Sequence, residues 1–160
     1  LFLGQIEKHK GVFLLIEAFI KIKEKYPEVE LLLVGDGSQT EQAKNKAAEN
    51  KSIKFLGWPG DEAADKLLSS SHCLVYPSLV YENCPNAIQR ALAVGLPILA
   101  SDLGGTPELL NENAGVLFKP ADINDLAEKM ARVIKNNPQV QAQIGLKVED
   151  YIKQLENLFN

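Results

Sequence analysis

Short apolar runs alternate with amphipathic stretches along this chain. Six runs, "LFLG" from Leu1, "VELLLVG" from Val29, "IKFLG" from Ile53, "CLVYPS" from Cys73, "LPILAS" from Leu96 and "GVLFKP" from Gly115, are each about the length of a strand. They lack clean polar alternation, so each reads as a parallel strand covered on both faces. Helical patterns separate them. The first, "GVFLLIEAFIKIKEKYP", sets Leu14, Leu15, Ala18, Phe19 and Ile22 on one stripe, with Pro27 at its end. Further helices are expected near 38–49, 61–70, 84–94 and 122–136, and a short one near 106–110. A last one is expected after Pro138, where Val148, Ile152, Leu155 and Phe159 form an apolar face. Strand and helix alternate throughout, which predicts an α/β fold: one domain over 1–160 with a doubly wound, mostly parallel six-stranded sheet and right-handed crossovers.

In such folds ligands bind beyond the carboxyl ends of the strands, which selects the loops at 4–11, 35–38, 57–60, 77–86 and 101–107. The first, "GQIEKHKG", places Lys8, His9 and Lys10 before a helix start, where they read either as a phosphate site or as a solvated charge run. In "PSLVYENCPNA", Asn83 and Cys84 can offer main-chain N–H groups at a helix N-terminus, and Glu82 presents acceptors just outside it. That pairing suits a ligand with both hydroxyls and phosphates; the plainer reading is an acid that favours the helix dipole. In "SDLGGTPELL", Gly104 and Gly105 allow the chain to pass close to a ligand, whereas Thr106, Pro107 and Glu108 read as helix-start residues.

Composition narrows the classes. A net charge of −4 over 160 residues gives no basic footprint for nucleic acid. No apolar run approaches the roughly 20 residues of a membrane helix, and the chain reads as cytoplasmic. Cys73 and Cys84 are too few for a disulfide framework and read as reduced thiols. Gly35-Asp36-Gly37 follows a strand, but Thr40 stands where a dinucleotide fingerprint needs its third glycine, and no P-loop run exists. Neither histidine sits in a metal-binding motif, and His72 reads as structural. A core strand at the very start suggests a piece of a longer polypeptide.

Taken together, "GxxxKHKG", "VGDGS", "FLGW", "PSLVYENCPNAIQRALAVGLPILASDLGGTPELL" and "AGVLFKPADINDLAEKM" resemble the C-terminal, donor-binding half of a GT-B retaining glycosyltransferase of the group 1 or family 4 type, over residues 1–136. The resemblance implies a Rossmann-like half that binds a nucleoside-diphosphate sugar without a metal or other cofactor. It also implies a partner N-terminal domain of the same protein. It implies hexosyl transfer to a glycan or lipid-linked acceptor, with peripheral membrane association through the latter, and an isolated half that turns over little.

Residue by residue, the resemblance makes Glu82 the first motif glutamate, near the donor sugar, and Lys10 the lysine that neutralises the diphosphate. Asn83 and Cys84 lend backbone donors, Gly4, Gly104 and Gly105 line the site, and Lys54 and Phe55 lie beside the nucleobase. Two positions depart from it. Gln5 stands where an arginine usually follows the first-strand glycine, and Arg90 replaces the second glutamate of the Glu-x7-Glu pattern. An arginine accepts no hydrogen bond from a ribose hydroxyl, a loss of about 1.5–3 kcal/mol that Arg90 offsets in part if it reaches a phosphate. A catalytically impaired relative serving as a scaffold, and a nucleotide-sugar epimerase, stand as alternatives.

Overall fold

The computed structural model describes residues 1–48, 50–110 and 115–136. Every apolar run carries a strand: β1 (Phe2–Leu3), β2 (Leu31–Val34), β3 (Ile53–Gly57), β4 (Leu74–Tyr76), β5 (Ile98–Ser101) and β6 (Gly115–Phe118). Between and after them run α1 (Val12–Lys23), α2 (Thr40–Ala47), α3 (Asp61–Ser69), α4 (Asn86–Ala93), α5 (Thr106–Leu109) and α6 (Ile123–Asn136). The expected last helix, after Pro138, lies outside the described residues. Within them, no helix is long and apolar enough to cross a membrane.

Parallel pairing joins β1-β2-β3 and β4-β5-β6 as two three-stranded sheets. Leu1 links them: its N–H donates to Cys73 O at 2.8 Å and its carbonyl accepts from Val75 N at 2.8 Å. These two bonds straddle Leu74, as in a parallel ladder, so the strands run in the order β3-β2-β1-β4-β5-β6. Strand order reverses between β1 and β4. The helices that follow those two strands, α1 and α4, therefore lie on opposite faces, and in such folds ligands bind in the crevice at the carboxyl ends beside that reversal.

Period-2 alternation along the strands feeds two cores. Phe2, Leu31, Leu33, Val75 and Leu99 pack with α1, α2 and α6 on one face. Leu1, Leu3, Leu74, Tyr76, Ile98 and Ala100 pack with α3 and α4 on the other. Both faces being covered explains why the strands carry no polar alternation; each large apolar side chain so buried stabilises by about 1.5–3 kcal/mol. In α1 the buried stripe is Val12, Leu15, Ile16, Ala18, Phe19 and Ile22. Leu14 is only partly buried, because the helix turns its Leu15–Ile16 edge to the sheet.

Candidate functional site

The loop after β1 is fastened on both sides. Toward β2, Ile6 N donates to Asp36 O (3.0 Å) and Gln39 N to Ile6 O (3.1 Å). The Glu7 carboxylate accepts from Ser38 N at 2.6 Å and Ser38 Oγ at 2.8 Å, which hold it below the usual carboxylate range. A single 3-10 turn over Lys8–Lys10 follows and ends at Gly11, whose φ of 76° belongs to the left-handed region. A Cβ there would stand 1.8 Å from Pro77 O. Toward β4, Leu79 N donates to His9 O at 2.8 Å. The chain segments at 4–11 and 77–82 are thus pressed backbone to backbone, and only glycine fits at the contact.

That contact aims Lys10 at Glu82. Lys10 Nζ lies 3.0 Å from both Glu82 Oε1 and Oε2, with both side chains about one-fifth exposed. From below, the buried Ser78 hydroxyl donates to Glu82 Oε1 at 2.8 Å. The buried phenol of Tyr76 lies beside the same carboxylate. Desolvation is the largest influence on Glu82 and pushes its carboxyl up. The hydrogen bonds from Tyr76, Lys10 and Ser78, with the Lys10 charge, overcome it and hold the acid below its ordinary value. Burial, then the neighbouring carboxylate, keeps the Tyr76 proton on its oxygen far into the alkaline range.

On the third side, Gly105 N donates to Glu82 O at 2.9 Å. A Cβ on Gly105 would come 2.4 Å from Asn83 O, and one on Gly104 2.8 Å from Glu82 N and O. These glycines admit the main chain of Glu82–Asn83, which is the close approach they serve here. Asn83 and Cys84 are exposed, and their main-chain N–H groups donate to nothing among the described residues. Gly4 and the exposed Gln5 open the first loop on the same rim.

Three assignments change. Lys54 is near the amino end of β3, opposite Leu32, and its ammonium pairs with Glu30 Oε1 at 2.6 Å. It faces the rim opposite Lys10 and Glu82, so it is no nucleobase contact. Phe55 packs against the core shared with α1 and α2, which places its ring under the sheet rather than in the crevice. Arg90 does not turn to the helix tip. Its Nε and Nη1 donate to Asp65 Oδ1 (2.8 Å) and Asp61 Oδ1 (3.0 Å), its Nη2 to Asp61 O (2.8 Å), and its guanidinium lies 5.8 Å from the Trp58 ring centre. Packing of α3 against α4 sets the side chain among these acids, away from Lys10 and Glu82.

Ser78, Tyr76 and Glu7 went unnoticed in the sequence, where a serine after a strand and an acid in a charged loop carry no distinguishing pattern. A cavity of about 510 Å³ lies at the amino rim among Leu1, Phe19, His72, Cys73 and Met130, away from this chemistry.

The thiols differ. Burial pushes Cys73 up to about 11, while Cys84 is exposed beside Gln89. Iodoacetamide at neutral pH is expected to label Cys84 alone in the folded chain, as read by peptide mass; equal labelling of Cys73 contradicts this placement.

Comparison with known proteins shows the family. The chain is 32% identical over 103 residues to an uncharacterised glycosyltransferase of Methanocaldococcus jannaschii, covering 62% of this chain and 25% of that protein. It is 30% identical over 146 residues to the phosphatidyl-myo-inositol mannosyltransferase of Mycobacterium tuberculosis, covering 86% and 38%. It therefore spans about a quarter to two fifths of the length of the curated relatives it matches. Anabaena HepE, solved in complex with UDP-glucose, superposes with a TM-score of 0.73 at 25% identity, covering 86% of this chain and 39% of that one. Residues 1–148 match the family model described as glycosyl transferases group 1, and the chain belongs to that family.

Proposed function

We propose that this chain forms the donor-binding half of a retaining glycosyltransferase that moves a hexosyl group from a nucleoside-diphosphate sugar to a glycan or lipid-linked acceptor, with an N-terminal domain of the same protein closing the cleft. The observation that carries this reading is the meeting of Lys10, Glu82 and the N–H groups of Asn83 and Cys84 at the point where strand order reverses.

In this reading the diphosphate takes Lys10 and the main-chain donors, which stabilise the charge that builds on the leaving group. Glu82, with acceptor oxygens only, takes hydroxyls of the sugar. Lys10 supplies the positive charge beside the diphosphate, and the reading keeps the donor metal-independent. A relative named a mannosyltransferase and a neighbour solved with UDP-glucose support a hexosyl donor. The placement of Arg90 favours an enzyme over a decayed scaffold. The departure at the second motif position is built into a cluster with Asp61, Asp65 and Trp58.

Calorimetry with UDP, GDP and ADP tests the reading. At least one is expected to bind with Kd tighter than about 1 mM, roughly 4 kcal/mol, and with equal affinity in EDTA. Absence of binding by all three at millimolar concentration removes it.

A further inference from the structure

The Lys10–Glu82 contact raises a problem for any anionic donor. A lysine that chelates both oxygens of a carboxylate at 3.0 Å cannot at once neutralise a diphosphate. One of the two side chains has to move, and the surroundings decide which. Lys10 stands on a flexible four-carbon stem, and its ammonium is within reach of solvent. The carboxylate is tied from beneath: Ser78 is 3% exposed and Tyr76 5%. Ser78 lies two residues past β4, next to Pro77, whose carbonyl closes on Gly11, and its buried hydroxyl has Val80 O at 3.3 Å as its one other acceptor among the described residues. A hydroxyl has a single proton to give. Ser78 gives it to Glu82 Oε1 at 2.8 Å, the shortest of its contacts, and its oxygen accepts from Val80 N at 3.4 Å.

We propose that Ser78 is a positioning residue: it keeps the Glu82 carboxylate aimed at the sugar while Lys10 leaves it for the diphosphate. This rests on the nucleotide-sugar reading above. Its consequence is a division of labour that binding can resolve. A nucleoside diphosphate needs only Lys10 and the main-chain donors, whereas the sugar moiety needs an ionised, correctly held Glu82. Without the Ser78 proton donor, the freed carboxylate follows the ammonium or turns away, and the sugar loses its acceptor.

The groups that face Glu82 are Lys10 from the first loop, Tyr76 and Ser78 from β4 and its continuation, and the Gly104–Gly105 main chain. Lys10 departs toward the ligand and Tyr76 stays neutral, so Ser78 and Tyr76 are the neighbours left to hold the carboxylate ionised. Removing Ser78 therefore raises the pH below which the sugar contribution disappears.

The test compares UDP with UDP-glucose, GDP with GDP-mannose and ADP with ADP-glucose by calorimetry across pH 4–7, in the wild type, Ser78→Ala, Ser78→Thr, Glu82→Gln and the Ser78→Ala/Glu82→Gln pair. For the nucleotide that binds, Ser78→Ala is expected to weaken the sugar nucleotide about tenfold and the bare diphosphate less than threefold. Ser78→Thr restores the difference, the acid limb of sugar-nucleotide binding moves to higher pH in Ser78→Ala, and Ser78→Ala has no added effect once Glu82 is Gln. Ser78→Cys, near-isosteric with a weak donor, gives the same comparison if alanine leaves too little folded protein. Equal weakening of both ligands, an unmoved acid limb or an additive double variant overturns the inference and leaves the proposed function standing. Failure of every pair to bind the wild type overturns the function and this inference with it.

Discussion

Gly11→Ala is expected to destabilise the fold by about 2–5 kcal/mol, the sum of a left-handed backbone cost of about 1–2 and an overpacking cost of about 1–3. The new methyl would sit 1.8 Å from Pro77 O, a main-chain atom that cannot rotate away. Relief requires the loop after β1 to part from the loop after β4. The same movement takes Lys10 off Glu82, since both belong to those loops. Gly60 is the control, with a φ of 90° and nothing within 4 Å of an added Cβ. Gly60→Ala carries the backbone cost alone, about 1–3 kcal/mol at φ 90° and ψ 163°, and leaves the Lys10–Glu82 contact untouched. Urea unfolding of the two variants reads the difference directly. Equal shifts of the midpoint would show that the loops have room to separate, and the tight contact described above would be wrong.

Arg90→Glu is expected to cost about 2 kcal/mol and to leave nucleotide affinity within tenfold of the wild type. Charge-assisted hydrogen bonds are worth about 1.5–3 kcal/mol when shielded, and less here because Asp61 and Asp65 are well exposed. Replacement also brings a third carboxylate against two others on the facing helix, a repulsion that salt screens. Arg90→Met isolates the lost attraction. The gap between Met and Glu variants is expected to close as salt rises from 0.05 M to about 1 M, where the Debye length falls to about 3 Å. Gain of nucleotide affinity above tenfold in Arg90→Glu would instead place residue 90 in the crevice and mark the wild-type site as impaired.

The layout of the sheet was legible in the sequence. Apolar runs without alternation read as strands covered on both faces, and the two cores bear this out, with Phe2 on one side and Leu1 and Leu3 on the other. The fold rule about carboxyl ends then selected the loops that hold Lys10 and Glu82, which lie 72 residues apart and meet at 3.0 Å. Lys54 and Phe55 show the limit of that reading. Both were assigned to the correct strand, but the rim and face they occupy depend on the register of β3 against β2, including the slip between Leu33 and Val34. Arg90 marks a related limit. Helical side chains lean toward the N-terminus, which predicted a reach to the tip of α4, but acids on the neighbouring α3 offered nearer partners.

The sequence by itself determined which segments become strands and helices, because periodicity and turn chemistry act within a few residues of one another. It also determined which side chains bring charge to one rim. Only the tertiary structure decided that Gly11, Gly104 and Gly105 exist to let backbones touch, that Ser78 and Tyr76 support Glu82, and that Arg90 belongs to the packing of two helices. These facts depend on distances between segments far apart in the chain. Such distances are set by how the layers pack, a property of the whole core that no local pattern encodes.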